Sequence, residues 1–148
     1  MTVVSRFVFF NPKKKTQLSS NRIRTKDISI VIPVRDNQRG INNYLREFIN
    51  AHHPSIFPKE IIIVDNNSKK PLILANDLTS TDLTIKLLQC KKPGPASARN
   101  SGVAVASGEW ILFNDSDCIP TKDLLIGYLT ADNGSIAYSG NVRALSKN

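Results

Sequence analysis

Two carboxylates one residue apart, Asp115 and Asp117, follow the apolar run Trp110-Ile111-Leu112-Phe113. Side chains at that spacing can converge on one hard divalent cation, which prefers oxygen ligands and keeps waters or substrate phosphates in its remaining positions. The chemistry this allows is Mg2+- or Mn2+-assisted handling of a nucleotide diphosphate. Two phosphates beside two carboxylates repel unless a cation bridges them, and that cation also stabilises a departing diphosphate. The same Asn, Asp and Ser residues also suit a plain turn, since they bond their own backbone. What separates the two readings is whether other polar loops meet this one.

Two other loops qualify. Arg35 and Asp36 follow Ile28-Ser29-Ile30-Val31-Ile32-Pro33-Val34, and Asp65 and Asn66 follow Glu60-Ile61-Ile62-Ile63-Val64. A carboxylate or amide at 65 or 66 can share hydrogen bonds with a pyrimidine edge. Arg99 and Asn100 stand near the start of a segment of small residues opened by Pro95. Proline suits the first position of a helix, and a polar pair there can serve an anion held at the helix N-terminus.

The elements that must position these groups alternate. Ile28–Ile32 and Glu60–Val64 read as strands, the second apolar on both faces and hence central and parallel. Ile41, Tyr44, Leu45, Phe48 and Ile49 fall on one helical face, from about Gly40 to His52. Adjacent His52 and His53 cannot face one metal from a regular helix, and they read as surface residues of a loop. Pro71 to Leu78 reads as a short helix and Thr84–Leu88 as a third strand. Pro95 to about Ser107 reads as a helix with Gly108 as its left-handed stop. The Trp110–Phe113 strand, a helix from Thr121 to about Thr130 capped by Thr121, an Asp132-Asn133-Gly134 turn and a strand over Ser135–Tyr138 complete the series. This order predicts an α/β fold, a Rossmann-like, mostly parallel sheet flanked by helices, with its polar loops on one edge.

Composition narrows the partners. The 148 residues are 41% hydrophobic and 22% charged, which fits one soluble domain with a real core. The net charge of +8 is concentrated in residues 1–27, which hold Arg6, Lys13, Lys14, Lys15, Arg22, Arg24 and Lys26 against Asp27. Residues 1–26 therefore read as a basic, poorly ordered N-terminal extension, with Val3 to Phe10 as a short added strand. A basic tail can touch an anionic membrane surface, but the nearly neutral body gives no specific nucleic-acid signal. Cys90 and Cys118 have no metal-ligand spacing and fit a reducing compartment. With no signal peptide or membrane span in the sequence, the expectation is a cytoplasmic protein, peripheral at most to the inner membrane face. A glycine-rich dinucleotide fingerprint and a P-loop are both missing, which disfavours hydride transfer and P-loop chemistry. A nucleotidyltransferase would want a glycine-rich basic loop after the first strand, where only Arg35 and Arg39 stand.

Four pieces in order resemble the N-terminal half of family 2 glycosyltransferases with the GT-A fold: Ile30 to Asn37, Ile63 to Ser68, Gly94 to Gly102, and Phe113 to Cys118. The resemblance covers roughly Asp27 to the end. It implies transfer of a sugar from a nucleotide-diphosphate sugar to a glycan or lipid-linked acceptor hydroxyl, with Mn2+ or Mg2+. It implies that Pro33, Val34 and Arg35 border the base, that Asp65 and Asn66 contact the base and its surroundings, and that Arg99 lies on the donor side. Asp115 would approach ribose or metal, and Asp117 would be the metal ligand. Arg35 stands where many members have an aromatic residue and Asn66 where many have a second Asp, leaving the donor open between UDP, dTDP and GDP types. In the family an acceptor-side half follows and carries the catalytic base. Only Asp132 offers itself here, as an unconvincing substitute, so the chain reads as a truncated domain of residues 27–148. The alternative is a non-catalytic or partner-dependent nucleotide-sugar-binding module.

Overall fold

The structure, a computed structural model, describes residues 6–14, 23–130 and 137–140. Asp132 with its turn, the first residues of the two terminal strand expectations (Val3 to Ser5, and Ser135 with Ile136) and residues 141–148 lie outside them.

Six strands form one sheet: β1 (Arg6–Phe10), β2 (Ile28–Val34), β3 (Glu60–Asp65), β4 (Ile85–Gln89), β5 (Trp110–Phe113) and β6 (Ala137–Gly140). They lie in the order β4-β3-β2-β5-β1-β6. The β2/β3, β3/β4 and β2/β5 pairs are parallel; β1 is antiparallel to β5 and β6. The sheet is thus mixed and mostly parallel, as the alternation of elements predicts. The register sets Val34 beside Asp65 and Asp65 beside Gln89, so these parallel strands end on one edge.

Side-chain alternation along the strands builds two cores. Ile30, Ile32, Ile61, Ile63 and Leu112 face α1 (Gln38–Ala51), which buries Ile41, Tyr44, Leu45 and Phe48. Val31, Ile62, Val64 and Ile111 face the other way, onto Ala98 of α3 (Pro95–Val105). Both faces of β2 and β3 are therefore dry, which is why Ile30–Val34 and Ile61–Val64 are continuous apolar runs.

The sheet draws in part of the basic N-terminal stretch. β1 takes the slot between β5 and β6, and Asn11, fully buried, follows it. The Asn11 amide donates through Nδ2 to the Gly108 carbonyl at 2.9 Å, and Lys13 Nζ donates to the Ala104 carbonyl at 2.8 Å. A lysine at the end of α3 also complements the negative end of the helix dipole.

Several local expectations are corrected. His52 is not a surface residue: it is buried, stacks on Phe48 at 4.3 Å, and its Nδ1 lies 2.9 Å from the Phe48 carbonyl; His53 is exposed. Of the Pro71–Leu78 stretch only Asn76–Leu78 is helical, as part of α2 (Asn76–Thr79), because the Asp65 carboxylate and the Gln38 side chain take the Leu72 and Ile73 amides. α3 ends at Val105, and Gly108 is no left-handed stop. It is needed for space: a Cβ there would stand 2.6 Å from the Ser29 nitrogen. The Thr121–Thr130 stretch is mostly turn, with a short α4 (Ile126–Leu129).

Opposite the polar edge, one buried carboxylate ties three segments together. Glu60 Oε1 accepts from Ser29 Oγ at 2.7 Å, from the Ser107 amide at 2.7 Å and from Ser107 Oγ at 2.8 Å. Its other oxygen meets Lys86 Nζ. Burial opposes the charge, but the lysine and the three hydrogen bonds outweigh it and hold the carboxyl down at about 2.

Candidate functional site

The carboxyl edge of the sheet carries a cleft of about 320 Å³, lined by residues after β2 (with Pro33 and Val34 on the strand), after β3, from the turn into α3, and after β5. That size suits a small-molecule site. Each wall has a local cause. β2 ends at Pro33 and Val34, and Asn37 caps α1 by accepting from the Gly40 amide at 3.0 Å. Its Nδ2 donates to Ser116 Oγ at 3.0 Å, so the cap of α1 also fixes the turn between the two candidate metal ligands. Behind that turn, buried Asn114 donates to the Tyr44 hydroxyl at 2.8 Å.

The loops after β2 and β3 are cross-linked. Asp36 donates its amide to Ser68 Oγ at 2.9 Å and accepts the Lys69 amide at 2.8 Å. Asp36 and Asn67 take positive φ of 51° and 60°, a conformation that Asp and Asn tolerate through local hydrogen bonding.

Of the residues picked out from sequence, the structure brings Pro33, Val34, Arg35, Asn66, Arg99, Asp115 and Asp117 to the cleft. Asp65 is not among its lining residues. It is buried, and its two oxygens accept the Ser68 amide at 3.0 Å and the Leu72 amide at 3.1 Å. Burial works against its charge, but the bonds from Ser68 and Leu72 outweigh it and lower its pKa. Asp65 thus orders the loop after β3. Asn100 is exposed and takes no part in the lining.

Arg99 reaches across from α3. Its Nη2 donates to Asp115 Oδ1 at 3.0 Å, and its guanidinium lies 5.7 Å from the centre of the Phe113 ring. Among the described residues, nothing bonds the second oxygen of Asp115 or the exposed carboxylate of Asp117. No three His, Cys, Asp or Glu side chains gather among those residues as a closed metal cage. Asp115 and Asp117 thus line the cleft just after β5 with carboxylate oxygens that no described residue bonds. Arg35 of the lining and, beyond it, Lys69, Lys70, Lys91 and Lys92 are exposed on loops after three successive strands, a basic rim. The Arg35–Asp36 pair is loose, at 3.9 Å.

Residues that sequence reasoning left out are Asn37, Gly94, Pro95 and Ser116. A signal existed for Asn37, an Asn three residues before Gly40 at the start of an apolar helical face.

The parallel strands, their flanking helices and a cleft at the strand ends place the chain in the GT-A class of glycosyltransferase folds. The chain belongs to glycosyl transferase family 2, whose model matches residues 29–143. It is 33% identical over 101 residues to the pre-mycofactocin glycosyltransferase of Mycobacterium tuberculosis, a match covering 68% of this chain and 20% of that one. Staphylococcus aureus TarS, solved with UDP, superposes with a TM-score of 0.57 at 25% identity, over 68% of this chain and 30% of the TarS chain. The mannosyltransferase PcManGT of Pyrobaculum calidifontis, solved with GDP-Man and Mn2+, superposes with a TM-score of 0.56 at 20% identity, over 80% of this chain and 36% of that one. The chain thus spans about a fifth to a third of these proteins.

Proposed function

We propose that this chain is the donor-binding part of a metal-dependent glycosyltransferase. The reaction transfers a sugar from a UDP-, dTDP- or GDP-type donor to a hydroxyl of a glycan or lipid-linked acceptor. The observation that carries this is the meeting of Asp115, Asp117 and Arg99 in one cleft with the ends of β2 and β3. The UDP in TarS and the GDP-Man with Mn2+ in PcManGT support the ligand class.

In this reading Pro33, Val34 and Arg35 border the base, and Asp65 acts through the loop it orders. The free oxygens of Asp117 and Asp115 would hold Mn2+ or Mg2+, hard cations that prefer oxygen ligands. When bound, the cation neutralises the diphosphate and stabilises it as a leaving group. Arg99 holds Asp115 by one oxygen and leaves the other directed to ligand. The basic rim raises the local concentration of an anionic donor. Among the described residues, no helix is long and apolar enough to cross a membrane. Contact of the basic N-terminal stretch with the cytoplasmic membrane face belongs to the same proposal.

Attack by an acceptor hydroxyl needs a base within hydrogen-bond reach. Among the described residues, the carboxylates lining the cleft are Asp115 and Asp117, both assigned to the cation side. That favours, as a second reading, a nucleotide-sugar-binding part that works with acceptor-side residues beyond those described. An assay of sugar release and transfer across UDP-, dTDP- and GDP-sugars, run beside direct binding, separates the two. Turnover supports the enzyme. Binding without turnover by any donor supports the module, and neither binding nor turnover overturns both.

A further inference from the structure

Asn66 has its side-chain amide committed to one loop. Its Nδ2 donates to the Lys92 carbonyl at 2.8 Å and to the Cys90 carbonyl at 3.4 Å, and its Oδ1 accepts from the Gly94 amide at 2.9 Å. The residue is 4% exposed. The three partners span the loop between β4 and α3, where Gly94 has φ of +109° and Pro95 opens the helix. That backbone conformation is open to glycine and strained for other residues. Arg99 follows Pro95 by about one helical turn, and from there it reaches Asp115.

We propose that Asn66 is a positioning residue. It holds the turn into α3, and through it the cleft wall at Gly94 and Pro95 and the aim of Arg99, instead of offering its amide to the ligand. The functional consequence rests on the nucleotide reading of the cleft; the clamp itself does not. Two of its three bonds need N–H donors. An ionised Asp at this position keeps only the Gly94 bond and sets its charge against two carbonyls. Such a buried carboxylate has a raised pKa, and protonation returns one donor. The charged groups around the position are Asp65 just before it at the end of β3, Lys91 and Lys92 in the clamped loop, and Arg35, Arg99, Asp115 and Asp117 along the cleft. N66A keeps all of these charged groups and has no titratable side chain at position 66, so that variant is the control.

The test compares wild type, N66D and N66A by thermal unfolding from pH 8 to pH 5, and by titration with UDP, dTDP and GDP plus Mn2+. At pH 8, N66D is expected to unfold several degrees below wild type and to bind nucleotide about tenfold more weakly. Both deficits narrow as the pH falls, while those of N66A stay constant. N66D that matches wild type at pH 8 overturns the clamp. An unfolding midpoint that follows pH with unchanged nucleotide affinity overturns the positioning role. Should N66D not fold at pH 8, wild-type affinity in N66A overturns that role equally. If wild type binds none of the three nucleotides, the positioning role falls with the nucleotide reading, and the unfolding series still decides the clamp.

Discussion

Arg99 on α3 and Asp115 at the end of β5 meet at 3.0 Å, joining the helix on one face of the sheet to the acidic loop at its edge. Each side chain is about one-third exposed, at 32% and 30%. A pair so wet contributes at most about 1 kcal/mol to folding. Its value lies in aiming Asp115. R99A is therefore expected to lose less than about 1 kcal/mol in urea unfolding but to weaken Mn2+-dependent nucleotide binding about tenfold. A variant that is several kcal/mol less stable yet binds normally would make the pair structural.

Glu60 gives a prediction in pH. Its carboxyl has an ordinary value of 4.5 and is held at about 2 in the fold. A depressed folded pKa means that the stabilisation is complete above 4.5 and is lost as the pH falls toward 2. The shift corresponds to roughly 3 kcal/mol. Wild type should lose stability of that order between about pH 5 and pH 2 from this group. E60Q should start about 1–3 kcal/mol lower at pH 7 and show a flatter profile across the same window. Urea unfolding at a series of pH values measures both, and parallel profiles for the two proteins would contradict the assignment.

Gly102 lets α3 approach the sheet. A Cβ there would stand 2.3 Å from Val31 Cγ1 and 3.2 Å from Val64 Cγ2, both on buried β-branched side chains with little freedom to turn away. Overpacking of this kind costs about 1–3 kcal/mol, while Ala gains about 1 kcal/mol over Gly in a helix. The clash wins, and G102A is expected to lose about 1–2 kcal/mol. Because α3 must move outward, nucleotide affinity should fall as well. A stabilised G102A would show that the helix is not seated on Val31.

β2 and β3 were legible because burial on both faces writes them as β-branched runs that stop at polar residues, as at Val64 to Asp65. The face of α1 was legible from its spacing. Long-range hydrogen bonds were not. Leu72 and Ile73 lie outside any helix because Asp65, seven residues before Leu72, and Gln38, 35 residues before Ile73, take their amides. His52 looked like a surface residue beside its exposed neighbour, yet the Phe48 ring and carbonyl bury it. At the cleft, residue types marked the loops that the fold brings together, but they could not tell which residues reach the lining or which side chains are spent on loop hydrogen bonds. Asp65 and Asn66 are adjacent and similar, and only Asn66 lines the cleft. β1 was legible as a strand, whereas its antiparallel slot between β5 and β6 is set by partners more than 100 residues away.

The central claim is that Asp117, at the end of β5, carries a cation for a nucleoside diphosphate. Calorimetric titration of UDP, dTDP and GDP into wild type and D117A, each with Mn2+ and with chelator, tests it most directly. D117A removes an exposed side chain, so its unfolding should stay within about 0.5 kcal/mol of wild type. One nucleotide is expected to bind wild type in Mn2+, with chelator abolishing the heat and D117A showing none. Equal binding by D117A, or binding indifferent to chelator, would contradict the claim.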